Sequence, residues 1–382
     1  MTVRERVNSF GIENAGAIAA VQMNGHLLRR RAARLGPLLA LVAVVLAIAL
    51  LAAAGPEVLQ RRVTEGLIKL VAVVALYIFV GNSGLLSFGH AGFMAIGAYT
   101  SALITMKASA KAMFLPNLPD LVRNVEWMPF PAALLGGLCA AFIAVIAGIP
   151  LMRLSGIAAS IATFALLSIT YIVIGNWTSV TGGQNSLLGL PIYVDLWVAL
   201  GWAVAAMSAA FIYQETRHGL ALRASREDEV AARAAGVHVH RERLIAFVLS
   251  AFFSGIAGVL MVHFLGTARI ELFYLDLTFM IIALLVVGGT GSLAGAVVGT
   301  IVMTGLTEAM HLAEAGVEID GTTISAPLGL GDVALALIML LIILFRPKGI
   351  MAGQEIAWCS GVAGPERVLE TRSVPEKGGP SA

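Results

Sequence analysis

The stretch "GNSGLLSFGHAGFMAIGAY", residues 81–99, carries five glycines in nineteen positions, together with Asn82, Ser83, Ser87 and His90. Glycine weakens a helix interior, because it fixes the most backbone entropy for the fewest contacts. A helix meant to stay straight in an apolar setting gains nothing from such a run. Yet the residues on either side, 67–80 and 85–106, are strongly apolar. The stretch therefore reads as a break between two buried spans, made polar at the break.

The composition agrees. Of 382 residues, 58% are hydrophobic and 13% charged, where a soluble chain would be about a quarter charged. The apolar residues fall in long blocks, the pattern of bilayer-spanning helices. They run at 37–54, 67–80, 85–106, 132–151, 157–176, 194–213, 244–265, 276–311 and 332–345. The run 276–311 is interrupted by "GGTGSLAG" at 288–295 and reads as two short spans. The expected fold is an all-α integral membrane protein of about ten transmembrane helices, within a range of eight to ten.

Charge location orients the spans, since Lys and Arg gather on the cytoplasmic side of short loops. Arg29, Arg30, Arg31 and Arg34 precede the first block, six arginines lie within 214–243, and Arg346 and Lys348 follow the last block. Ten crossings place all three clusters, and both termini, in the cytoplasm. Lys107, Lys111 and Arg123, and also Arg61 and Arg62, then fall on the outer side, against the rule. Residues 1–35 read as a polar cytoplasmic extension, 36–349 as the transmembrane domain with a cytoplasmic loop at 214–243, and 350–382 as a disordered cytoplasmic tail. Cys139 and Cys359 have neither disulfide nor metal-site spacing.

Two sets of residues stand out. The first is the pair of breaks: Gly81, Asn82, Ser83, Gly84, Ser87 and His90 in one, Gly288, Gly289 and Gly291 in the other. Backbone that leaves the helix inside lipid must meet protein or a water-filled cavity, and in transporters it commonly lines the solute path. Close packing of small residues explains the glycines equally well. His90 fits a proton relay or a structural hydrogen bond; Glu308 is the one acid well inside an apolar run. "VGNSGLL" at 80–86 and "VGGTGSL" at 287–293 share a pattern, with duplication and chance both open. No ring of charge suggests an ion filter, and no phosphate-binding loop of the G-x-x-x-x-G-K-[S/T] form occurs. The chain reads as a passage without a motor, with no metal site, no bound cofactor and no catalytic residue; a nucleic-acid partner is not expected.

The second set is the loop "ETRHGLALRASREDEVAARAAGVHVHRERLIAF", 215–247. Its middle predicts a single helix over 225–236. Ser225 caps it, Glu227, Asp228 and Glu229 suit the positive end of its dipole, and Gly236 ends it. A short helix bounded by arginines between two spans reads as a docking knob or as an ordinary solvated helix held by pairs such as Glu229–Arg233.

This loop resembles the coupling loop of ABC importer permeases, E-A-A-x-x-x-G, through Ala231, Ala232 and Gly236, with Val230 in the place of the Glu. "GLALRASREDEVAARAAGV", "RERLIAFVLSAFFSGIAGVL", "GLLSFGHAGFMAIGAYTSALI", "VVGGTGSLAGAVVGT" and "LFRPKGI" resemble the permeases of branched-chain amino acid ABC importers, of the LivM type, in register over most of 67–350. The resemblance implies a non-enzymatic transport subunit working with a second, homologous permease, two cytoplasmic ATPases that use ATP and Mg, and a periplasmic binding protein. Arg226, Glu227, Asp228, Glu229, Ala231, Ala232 and Gly236 would dock the ATPase. Solutes implied are branched-chain or other hydrophobic amino acids, with urea, short amides or aromatic acids as alternatives. A stand-alone ion-coupled carrier using Glu308 or His90, and a membrane scaffold, are the readings from other classes.

Overall fold

In the computed structural model, the described residues are 35–315, 317–319 and 322–324, with 336–337, 340–342, 344–346 and 349–352 near the C-terminus. They fall almost wholly in one unit, Leu38–Glu355. The expectations for the N-terminal extension and the tail beyond 352 lie outside them, as does half of 332–345.

Among the described residues, eight helices are long and apolar enough to cross a membrane. They are α1 (Leu35–Ala53), α2 (Glu57–Ser83), α6 (Pro129–Leu151), α7 (Gly156–Asn176), α9 (Leu196–Glu215), α12 (Val239–Leu265), α13 (Leu275–Gly288, extended by a 3₁₀ turn at Ile270–Phe273) and α14 (Leu293–Ala315). A ninth apolar helix, α3 (His90–Thr105), has 16 residues and is buried along most of its length. Shorter helices α4 (Ala108–Phe114), α5 (Asp120–Arg123), α8 (Thr178–Thr181), α10 (Arg217–Glu227) and α11 (Glu229–Ala234) occupy the connections. Two-residue strands β1 (Leu187–Leu188) and β2 (Thr267–Ala268) pair antiparallel, as do β3 (Val317–Ile319) and β4 (Thr322–Ile324).

Helices α2 and α12 form the centre, with α3, α6 and α9 packed around them. Lipid tails are as apolar as Leu, so such packing depends on close approach of small residues. A Cβ on Gly97 of α3 would lie 2.2 Å from the Gly255 carbonyl oxygen, and one on Gly258 of α12 would lie 1.9 Å from that of Met94. No side chain fits at either crossing. By contrast α1 and α7 leave Leu50, Leu51, Ile157 and Ile161 exposed, as lipid-facing helices must.

Three boundaries differ most from the sequence reading, one of them the start of α3 at His90, five residues after its apolar block begins. Helix α2 starts at Glu57, ten residues before the apolar block, and α12 starts at Val239, five before. Apolar blocks mark the hydrocarbon layer, whereas Arg, Glu and Gln continue a helix at little cost. Residues 57–66 are thus the first turns of α2 and not a loop, and Lys69 lies well inside that helix, paired with Glu65 at 2.7 Å. Lys111 is also not a free surface charge. It is fully buried, and its Nζ donates to the carbonyls of Val122 (3.0 Å) and Val125 (2.5 Å).

Candidate functional site

The loop after α9 is not one helix but two. Thr216 opens α10, its Oγ1 accepting from Gly219 N at 3.3 Å. Ser225, expected as a cap, is buried inside α10, where its Oγ donates to the Leu222 carbonyl. The chain breaks at Asp228, whose backbone is extended and whose Oδ1 accepts from the Val230 and Ala231 N–H groups, both at 2.9 Å. Asp228 is therefore the N-cap of α11. The physical reason is competition: an aspartate that can satisfy two backbone donors at once ends one helix and starts another. Arg226 and Glu227 consequently belong to the last turn of α10, not to the first turn of a helix through Gly236.

The far end of α11 behaves as expected. Gly236 has φ of 87°. Its N–H donates to the Arg233 carbonyl and that of Val237 donates to Ala232, both at 3.0 Å. That pair of bonds is a Schellman close. Glu229, the first residue of α11, bonds Arg233 at 2.5 Å and Arg243 of α12 at 2.9 Å. Partial burial pushes its carboxyl pKa up, but the hydrogen bond and charge of Arg243, helped by Arg233, outweigh this and hold it below the ordinary value. Ala232 is buried under α11, while Val230 is 78% exposed.

The loop reaches the first break directly. Helix α2 ends in Gly84, at φ 71°. The Arg226 guanidinium donates to the Gly81 carbonyl at 2.6 Å. Carbonyls in the last turn of a helix lack intrahelical partners and carry the negative end of its dipole, so a cation there is favourable. The Arg226 stem also packs on Gly84, where a Cβ would lie 2.9 Å from Arg226 Cγ.

The second break meets the same place. A Cβ on Gly81 would lie 3.0 Å from the Thr290 carbonyl oxygen. Arg223, Ala224, Arg226, Glu227 and Gly291 border one cavity. Gly288 abuts the backbone of Gly295 and Gly299 in α14. The "RPKGI" stretch closes on this end too: Ile350 N donates to Val287 O at 2.9 Å, and Met351 N to Gly288 O at 3.1 Å. Four segments that are far apart in sequence thus converge: the end of α2, the α13–α14 break, α10 and residues 349–351.

The polar side chains of the first break are mostly bonded within it. Asn82 Nδ2 donates to Ile78 O at 2.9 Å and Ser83 Oγ to Phe79 O at 2.7 Å. Ser87 Oγ accepts from Gly89 N at 3.4 Å. His90 Nε2 and Ser250 Oγ are 2.5 Å apart, within a surround of Phe79, Phe93 and Phe247. Two atoms, Asn82 Oδ1 and His90 Nδ1, are buried without a hydrogen-bond partner. Gly289, the C-cap of α13, lies against Gly349.

Sequence reasoning treated the breaks and the loop as separate sites. It did not connect Arg226 to Gly81, and no residue spacing could have done so across 145 positions. Glu308 forms an ion pair with Arg62, the sixth residue of α2.

The family described as "Branched-chain amino acid transport system / permease component" matches residues 58–345. Among curated proteins, the chain is similar to the high-affinity branched-chain amino acid transport system permease protein LivM of Escherichia coli K12. The two are 28% identical over 306 residues, covering 70% of this chain and 68% of LivM. It is 24% identical over 317 residues to LivH of Salmonella typhimurium LT2, covering 77% of this chain and 94% of LivH. A third relative is the guanosine ABC transporter permease protein NupQ of Bacillus subtilis 168, 28% identical over 198 residues, 47% of this chain and 59% of NupQ. No solved structure matches. The match spans nearly all the described spans and both breaks, and it makes the chain a non-catalytic transport component: it belongs to the branched-chain amino acid transport system permease family.

Proposed function

We propose that this chain is one permease of an ATP-driven importer that carries branched-chain or other hydrophobic amino acids from a periplasmic binding protein to the cytoplasm. A second, homologous permease would complete the passage, and two ATPases would bind below it and use ATP and Mg. The chain crosses the inner membrane ten times in this reading, the eight long helices being joined by α3 and residues 332–345. Both termini and the α10–α11 loop are cytoplasmic.

The observation that supports the reading most is the Arg226–Gly81 bond. A loop knob gripped by a moving ATPase needs a rigid connection to the spans. Here α10 holds the broken end of the central helix α2 by a charge-assisted bond, at the place where the second break also arrives. Arg226, Glu227, Asp228, Glu229, Ala231 and Gly236 would form the ATPase-facing surface, with Val230 at its tip and Ala232 buried behind it. Gly81, Asn82, Ser83, Gly84, Ser87, His90, Gly288, Gly289 and Gly291 would form the gate that this surface moves.

The similarity to a permease named for guanosine supports a second solute class, nucleosides. Uptake of radiolabelled leucine and guanosine by the complete complex with its binding protein tests both. Leucine accumulation is expected; guanosine accumulation alone would replace the amino-acid reading.

A further inference from the structure

A cavity of about 700 Å³ opens between α1, α2 and α14. That size is ordinary for a small-molecule site, roughly 300–1,000 Å³. Its walls are unusual for a membrane span. Arg62, Glu65 and Lys69 enter from α2, and Glu308 enters from α14. These are two cations and two anions, paired Arg62–Glu308 and Lys69–Glu65. Charges within or bordering the hydrocarbon layer face a partner or a watery cavity. Here they do both, because the Arg62 and Glu308 side chains stay 37% and 26% exposed. Thr304 lines the same cavity, and its Oγ1 has no hydrogen-bond partner. Val45, Ile48 and Leu67 supply the apolar remainder.

Position matters as much as chemistry. Arg62 and Gly81 are nineteen residues apart on one helix, or roughly 28 Å at 1.5 Å per residue, close to the thickness of the hydrocarbon layer. The cavity mouth therefore lies at the opposite end of α2 from the loop. A solute arriving from the side away from the loop meets it first.

We propose that this cavity holds a zwitterionic solute in transit, its carboxylate on Arg62 and its ammonium on Glu308, with an apolar side chain against α1. The net charge of the four groups is zero, so a neutral zwitterion enters without an uncompensated charge. Parting one ion pair to make two new ones replaces each contact that it breaks. The solute's identity rests on the amino-acid reading above; the zwitterion chemistry does not. A phosphatidylethanolamine headgroup offers the same pair of charges, so the test separates the two.

The test uses the full chain in phosphatidylglycerol nanodiscs and radiolabelled leucine. Competitors are 3-methylbutylamine, which lacks the carboxylate, and 4-methylpentanoate, which lacks the amine. Leucine is expected to bind, with either analogue weaker by about tenfold or more. Gly305 lines the cavity, and a Cβ there meets nothing within 4 Å, so Gly305→Leu fills the space without a backbone clash. That variant, and the double variant Arg62→Gln with Glu308→Gln, are each expected to weaken leucine binding about tenfold or more. Absence of leucine binding by the wild type, equal binding by the analogues, or unchanged binding in both variants overturns the proposal. Loss of leucine binding when phosphatidylethanolamine replaces the other lipid assigns the cavity to a headgroup and also overturns it. In the complete complex, leucine uptake unchanged by Gly305→Leu removes this site and leaves the importer reading standing. Leucine bound by the chain but never accumulated by the complex removes the importer reading instead.

Discussion

Arg226, in the last turn of a loop helix, donates a 2.6 Å hydrogen bond to the carbonyl of Gly81, in the last turn of the most deeply buried span. The contact joins the loop to the broken end of α2. If α10 moves, the end of α2 follows or the bond is lost.

Replacing Arg226 with Ala removes the bond and its stem contact with Gly84. The side chain is partly exposed, so the loss is about 1 kcal/mol, or about fivefold in coupling. Uptake per ATP hydrolysed, measured in proteoliposomes of the complete complex, is expected to fall about fivefold while co-purification with the ATPases persists. Arg226→Lys keeps the charge and recovers part of the loss.

Asp228 and Val230 separate folding of the knob from its docking. Asp228→Ala removes the cap that holds two N–H groups, at a cost of about 1 kcal/mol, whereas Asp228→Asn keeps it. Val230 is exposed and makes no cap, so Val230→Asp is expected to leave the melting temperature unchanged. Co-purification of the ATPases is expected to drop for Asp228→Ala and Val230→Asp and to survive in Asp228→Asn.

Glu229 gives the loop a pH limit. Its carboxyl pKa is lower in the folded chain than in the unfolded one, so its pairing with Arg243 and Arg233 contributes fully above the unfolded value of about 4.3 and fades as pH falls through the folded value. Hydrogen exchange of the α11 amides is expected to lose protection as pH falls below the ordinary carboxylate value and through the lowered one of Glu229, after correction for intrinsic rates. Glu229→Gln is expected to abolish that step.

The glycine crossings set which positions tolerate a side chain. Gly258→Val and Gly97→Val push a Cβ into backbone and are each expected to cost about 3 kcal/mol or more, read as lost monodisperse protein in detergent. Gly201, on α9, has open space at its Cβ. Gly201→Val is expected to leave the yield unchanged.

The spans were legible because apolar blocks of about twenty residues have few other uses. Their ends were not, since the charge-rich segments Glu57 to Gly66 and Val239 to Arg243 continue a helix into the interface. The glycine-rich breaks could be located from composition, but not their meeting, which depends on packing of α2 against α13 and α14. The loop's helix end at Gly236 followed from a residue type with one physical role. Its start did not, because Ser225 and Asp228 are both good caps, and only the buried position of Ser225 in α10 decides between them. The Arg62–Glu308 pair joins residues 246 apart, and nothing local signals it.

The central claim is that this chain provides a passage and takes its driving force through the α10–α11 loop. Leucine uptake into proteoliposomes tests it most directly, comparing this chain alone with the complete set of two permeases, ATPases and binding protein, each with and without ATP. Accumulation only in the complete set, only with ATP, and reduced by Arg226→Ala is the predicted result. Accumulation against a gradient by this chain alone would contradict it.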